Sequence, residues 1–131
     1  MRVLSLDPGF TTGVAVYDSE GNLECSMAVT RRGLHRRGFF GVLVSMAQPD
    51  IVLIEALPQN NVTSDMMAIH SYITQWFKIA GYTVETIQPV QWKNLTGRVE
   101  IPGQHARDAA TMAKWWLGTK GIIVNGENIS A

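Results

Sequence analysis

The sequence predicts a single α/β domain with a mixed five-stranded sheet and helices on both of its faces. Two observations carry this fold class. Three short apolar runs with tight links open the chain, and later apolar runs then alternate with segments of helical spacing. No linker, internal repeat or low-complexity tract interrupts the order β-β-β-α-β-α-β-α, and 131 residues suffice for one core.

The first strand is expected over Val3–Leu6 and the second over Gly13–Tyr17, joined by a turn at Pro8-Gly9. Ser19-Glu20-Gly21-Asn22 is a second turn signal, and Leu23–Thr30 completes an antiparallel meander. Apolar residues Phe39, Phe40, Leu43, Val44 and Ala47 then recur at helical spacing, predicting a helix over Leu34–Ala47. Gly38 and Gly41 weaken it, by up to about 1 kcal/mol each relative to alanine. After Pro49-Asp50, the run Ile51–Ile54 has the composition of a strand covered on both faces, and it ends at Glu55. Ser64 or Asp65 can cap the next helix, which runs to about Ala80. Its stripe of Met66, Ile69, Ile73, Trp76 and Ala80 is widened by Met67, Tyr72 and Phe77. Gly81 stops that helix; a strand follows over Thr83–Ile87, and Pro89 opens a helical turn through Trp92. The loop Gly97–Gly103 leads into a helix from about His105 to Leu117. The domain is therefore placed at 1–118, with 119–131 a tail that either joins it or frays.

A hydrophobic content of 46% with 17% charged residues excludes a disordered chain. The formal net charge is zero, so attraction to nucleic acid must come from a local patch. One exists: Arg31, Arg32, His35, Arg36 and Arg37 fall within seven positions. Cys25 is the single cysteine, which rules out a disulfide framework and leads us to expect a reducing, cytoplasmic setting. Asp7 interrupts the first apolar run too early for a signal peptide, and no stretch approaches the roughly 18 apolar residues of a membrane span. No membrane partner is expected.

Two strands end in acids, Asp7 and Glu55. In open α/β sheets ligands collect beyond the carboxyl ends of the strands, so neighbouring strands would bring these carboxylates together. In "HARDAATMAKWW", His105 and Asp108 share one face near a helix N-terminus, while Ala109, Met112, Ala113 and Trp116 suit packing on the other. Two like charges about 4 Å apart cost on the order of 4 kcal/mol at an effective dielectric of about 20. A hard divalent cation relieves that repulsion, and an all-oxygen site suits Mg²⁺ or Mn²⁺. Zinc is disfavoured, because no cysteine pair or multi-histidine spacing is present. His105 could serve as a further ligand or as a base. Taken alone, each residue has a plainer use: Asp7 before Pro-Gly suits a turn, and His105 and Asp108 suit a helix cap.

Together these residues resemble the RuvC family of Holliday-junction resolvases, which have an RNase H-like fold. "LSLDPGFTTGVAVYD" (4–18) is similar to the family's first motif, "IVLIEAL" (51–57) to the strand ending in its catalytic glutamate, and "PVQWKNLTG" with "HARDAATMA" (89–97, 105–113) to its late lysine, Thr-Gly loop and acidic helix. The resemblance implies phosphodiester hydrolysis by two Mg²⁺ or Mn²⁺ ions about 3.5–4 Å apart. It implies that Asp7 bridges the metals, that Glu55 and Asp108 complete the shell, and that His105 stands where many members have a fourth acid. Lys93 matches the lysine near the scissile phosphate. Arg31, Arg32, Arg36 and Arg37 would then contact DNA phosphates beside Lys93. Members act as homodimers on four-way junctions, which implies a two-fold interface here; Met66, Ile69, Ile73 and Trp76 are its expected residues. Bacterial members have an aromatic residue three positions after the glutamate, used to open the junction centre; this chain has Pro58 there. A chain shorter than typical bacterial members would also suit a phage or virus enzyme.

Three other classes share parts of this pattern. YqgF-type RNA-processing nucleases begin with Asp-x-Gly but are not expected to have a glutamate ending the central strand, so Glu55 argues against them. Actin-like sugar kinases match the spacing of "DPGFTTG" but need two such domains. A non-catalytic module that binds branched DNA would have no use for the acids.

Overall fold

Alternation along the strands decides which layer each side chain joins. In the computed structural model, which describes residues 1–93, 97–124 and 127–128, even-numbered positions of the first and fourth strands face one core and odd-numbered positions the other. The strands are β1 (Val3–Asp7), β2 (Thr11–Tyr17), β3 (Leu23–Thr30), β4 (Ile51–Glu55) and β5 (Val84–Ile87). They form one sheet in the order β3-β2-β1-β4-β5. The meander pairs are antiparallel, whereas β1 with β4 and β4 with β5 are parallel. This is the mixed five-stranded sheet expected. A separate short ribbon pairs β6 (Ile123–Val124) with β7 (Glu127–Asn128).

The helices are α1 (Arg31–Leu34), α2 (Phe39–Ala47), α3 (Ser64–Ile79), α4 (Pro89–Trp92) and α5 (Gln104–Thr119). Helices α2 and α3 cover one face: Phe40, Leu43, Ala47, Ile69, Ile73 and Phe77 pack on Leu4, Leu6, Val14, Val16, Val52 and Ile54. Helix α5 covers the other, where Met112, Ala113, Trp116 and Leu117 meet Val3, Tyr17, Leu53 and Ile87. Val124 of β6 lies in that second core. The buried hydroxyls of Ser5 and Tyr17 donate to the carbonyls of Ala109 (2.7 Å) and Ala110 (3.1 Å), fixing α5 against β1 and β2.

Two expectations need correction. The helix expected over Leu34–Ala47 is split. Thr30 caps α1 through its hydroxyl, which accepts from the Gly33 N–H at 3.1 Å, and Gly38 sits at φ +80° before α2. A glycine there adopts the left-handed conformation at low cost, so the chain breaks the helix and restarts it. The interface expected over Met66, Ile69, Ile73 and Trp76 also changes: Ile69 and Ile73 are buried beneath α3, packed on the sheet of their own chain. An apolar stripe at helical spacing marks burial without saying against what. Met66 and Trp76 are half-buried.

Candidate active site

The parallel register of β1 and β4 builds the site. Leu6 pairs with Ile54, so the next residues, Asp7 and Glu55, leave adjacent strands side by side, and both are odd-numbered positions facing α5. Strands so paired lie about 4.8 Å apart, within reach of both carboxyls. Each acid follows a fully buried run and is itself half-buried. Glu55 donates a hydrogen bond to Asp7: burial, and then the charge of Asp7, push the Glu55 carboxyl up to about 8. Burial and then the negative charge of Asp108 push Asp7 up to about 6, against the opposing pull of the Glu55 hydrogen bond and Lys93.

Three elements complete the surroundings. The α5 N-terminus lies directly on β2 at Gly13, where an added Cβ would stand 1.8 Å from the His105 carbonyl oxygen. Gly13 pairs with Asp7 in the sheet, so this close approach brings Asp108 into electrostatic range of Asp7. From α4, Trp92 Nε1 donates to Glu55 Oε2 at 3.0 Å, and the following Lys93 lies with its Nζ 5.4 Å from the Trp92 ring centre. From α3, His70 Nε2 donates to the Glu55 carbonyl at 3.1 Å, and burial holds its imidazole below the ordinary histidine range. The turn under Asp7 is braced by Thr12, whose buried hydroxyl joins the N–H and carbonyl of Gly9 at 3.4 and 3.3 Å.

The structure thus gathers Asp7, Glu55, Asp108 and Lys93. His105 is exposed at the start of α5, one helical turn before Asp108, and has no hydrogen bond to the acids among the described residues. Arg31 and Arg32 lie on α1, Arg36 and Arg37 on the link to α2; Arg31 pairs loosely with Asp65 at 3.6 Å. Pro58 is exposed beyond β4. Asn94, Leu95 and Thr96, in the expected Thr-Gly loop, lie outside the described residues. His70 and Trp92 escaped sequence reasoning, because each acts through one contact with an element distant in the chain and leaves no spacing signal.

Among the described residues no three His, Cys, Asp or Glu side chains are drawn close enough to hold an ion as they stand. The donor chemistry nonetheless fits a hard cation. Burial and like charge raise both Asp7 and Glu55 beside Asp108, and a cation among them would relieve that repulsion with oxygen donors alone.

No protein-family profile matches the chain, and no curated protein matches its sequence. Solved structures do match. Thermus thermophilus RuvC superposes with a TM-score of 0.69 at 17% identity, over 92% of this chain and 97% of that one. T. thermophilus RuvC in complex with a Holliday junction substrate gives 0.68 at 15% identity, over 92% and 96%. The fowlpox virus Holliday junction resolvase matches with a TM-score of 0.43 at 18% identity, over 67% and 62%. On the two Thermus structures, the chain has the fold of RuvC, in the RNase H-like class, as its motifs led us to expect.

Proposed function

We propose that the protein is a metal-dependent endonuclease that resolves Holliday junctions, or related branched DNA, by paired nicks. The observation that carries this reading is the pair of half-buried carboxyls, Asp7 and Glu55, with Asp108 and Lys93 beside them. An acid pair kept largely out of water is costly unless a cation or a reaction uses it. Asp7, Glu55 and Asp108, with His105 at the rim, would hold Mg²⁺ or Mn²⁺. Bound there, the ions supply the Lewis acidity that phosphodiester hydrolysis needs. Lys93, adjoining both acids, neutralises charge that builds on the phosphoryl oxygens. A water oxygen bonds to phosphorus and gives up a proton, the bond to the 3′ oxygen breaks, and that oxygen takes up a proton in turn.

One chain has one such centre, so paired nicks in a symmetric junction call for a homodimer. The basic residues Arg31, Arg32, Arg36 and Arg37 would hold flanking phosphates. Among the described residues no helix is long and apolar enough to cross a membrane. We place the protein in the cytoplasm, or the host cytoplasm if a phage encodes it, where the free thiol of Cys25 would stay reduced.

The test offers four substrates, each with Mg²⁺, Mn²⁺ or EDTA: a four-way junction, a linear duplex, a flap and a structured RNA. Paired, metal-dependent nicks in the junction are expected. Asp7→Asn should reduce cleavage at least a hundredfold while junction binding persists. Full activity of that variant would remove the proposal, and cleavage of RNA alone would move the protein to the RNA-processing nucleases.

A further inference from the structure

The turn after Asp7 presents an aromatic ring to solvent. Phe10 is 52% exposed and stands outside the ring cluster of Phe39, Phe40, Tyr72, Trp76, Phe77 and Tyr82. Single exposed apolar residues are common and by themselves mean little. Two features set this one apart. Its mount is rigid: the turn is braced at Gly9 by Thr12, and the Phe10 carbonyl accepts the Arg31 N–H at 3.0 Å. Its neighbour is a basic cleft of about 460 Å³ lined by Thr30, Arg32, Gly33 and Arg36. Gly33, which lines that cleft, packs closely on β3, since an added Cβ there would meet Val29 Cγ1 at 2.9 Å. Along the chain the order is carboxylate, ring, guanidinium groups, and the Arg31 N–H to Phe10 carbonyl bond ties the ring's turn to the basic segment.

On the nuclease reading above, we propose that Phe10 stacks on an unpaired base at the branch point while Arg32 and Arg36 hold a phosphate of the same strand. An aromatic face stacks on any base, and a guanidinium pair donates to the oxygens of a phosphate, so the strip suits a single DNA strand leaving the duplex without selecting its sequence. Phe10 lies three residues past Asp7, so that strand would pass near the proposed site. Tyr72, the other exposed carbocyclic ring among the described residues, lies against His35 at 4.3 Å in the helical layer.

The experiment is junction binding in EDTA, measured by anisotropy across salt concentrations, together with photocrosslinking of a junction bearing 5-iodouracil at the branch. Crosslinking should map to Phe10 by mass spectrometry. Phe10→Ala should weaken binding about tenfold with its salt dependence unchanged, and Phe10→Trp should restore affinity. Arg32→Ala with Arg36→Ala should instead flatten the slope of log affinity against log salt by about 0.9, the contribution of the one phosphate no longer neutralised. Circular dichroism checks that the half-exposed Phe10 position tolerates alanine. If the wild type cuts junctions yet Phe10→Ala binds as tightly and the crosslink maps elsewhere, the stacking proposal fails and the nuclease reading stands. If the wild type binds no branched DNA, both fail.

Discussion

Asp7 and Glu55 both have carboxyls raised above their ordinary range by burial and like charge, and this makes folding itself sensitive to pH. The folded protein retains protons that the unfolded chain releases. The resulting stabilisation is complete below about pH 4 and is lost as pH rises through about 6 for Asp7 and about 8 for Glu55. Metal-free protein should therefore melt at progressively lower temperature from about pH 5 to about pH 9, and Mn²⁺ at the upper end should recover part of the loss. Glu55→Gln keeps a neutral side chain of the same shape, so it should flatten that profile and raise the melting temperature at about pH 8 while abolishing cleavage. Thermal melts in EDTA decide it; parallel profiles for wild type and variant would contradict the coupling. The two acids were legible in the sequence because a carboxylate closing a buried, mainly apolar run has no local partner. Trp92 and His70, which hold Glu55 from α4 and α3, were not, because a single cross-chain hydrogen bond imposes no period.

The elements follow the sequence wherever a hydrophobic period has a clear end. Strands β3 and β5 and helices α4 and α5 fall within two residues of expectation at each end. The break between α1 and α2 was hidden because Phe39, Phe40 and Leu43 keep the helical period on one side while Thr30 caps a separate turn on the other. No pattern could reveal that β2 supports α5 through a missing side chain. At Gly13 an added methyl group would meet backbone, 1.8 Å from the His105 oxygen and 2.4 Å from its carbonyl carbon, and neither can swing aside. Gly13→Ala must push the α5 N-terminus off the sheet, carrying Asp108 away from Asp7. We expect a loss of about 1–3 kcal/mol in unfolding free energy, the usual cost of overpacking. Cleavage under conditions where the variant stays folded should fall at least tenfold. Urea titration beside junction cleavage measures both, and an unchanged cleavage rate would show that this contact does not position Asp108.

At the scale of the whole molecule, the two helical layers are unequal on their outer sides. Of the large apolar side chains left exposed among the described residues, Val42, Met46, Met67, Tyr72 and Ile79 all belong to α2 and α3, with Val42 at 71% and Ile79 at 82% exposure. Phe40 ties the two helices together, its ring 5.8 Å from Tyr72 and 5.1 Å from Trp76. Concentrated apolar exposure on one side of a small domain marks a surface that meets another protein. The proposed paired nicks require a second copy of the chain. The sequence pointed to α3 for this contact but named Ile69 and Ile73, which are occupied by the sheet; the outward residues of α2 had no period strong enough to stand out. A charge at Val42 separates folding from association. In the monomer, Val42→Glu alters an exposed position and should shift stability by no more than about 0.5 kcal/mol. Across a two-fold contact it would bury an unpaired carboxylate in both copies, at a cost large enough to dissociate them. Sedimentation should find the wild type dimeric at about 10 μM and Val42→Glu monomeric with an unchanged circular dichroism spectrum. The products from a junction should change accordingly, from two coordinated nicks to single uncoupled ones. A wild-type monomer at that concentration would remove the dimer, and with it the account of paired cutting.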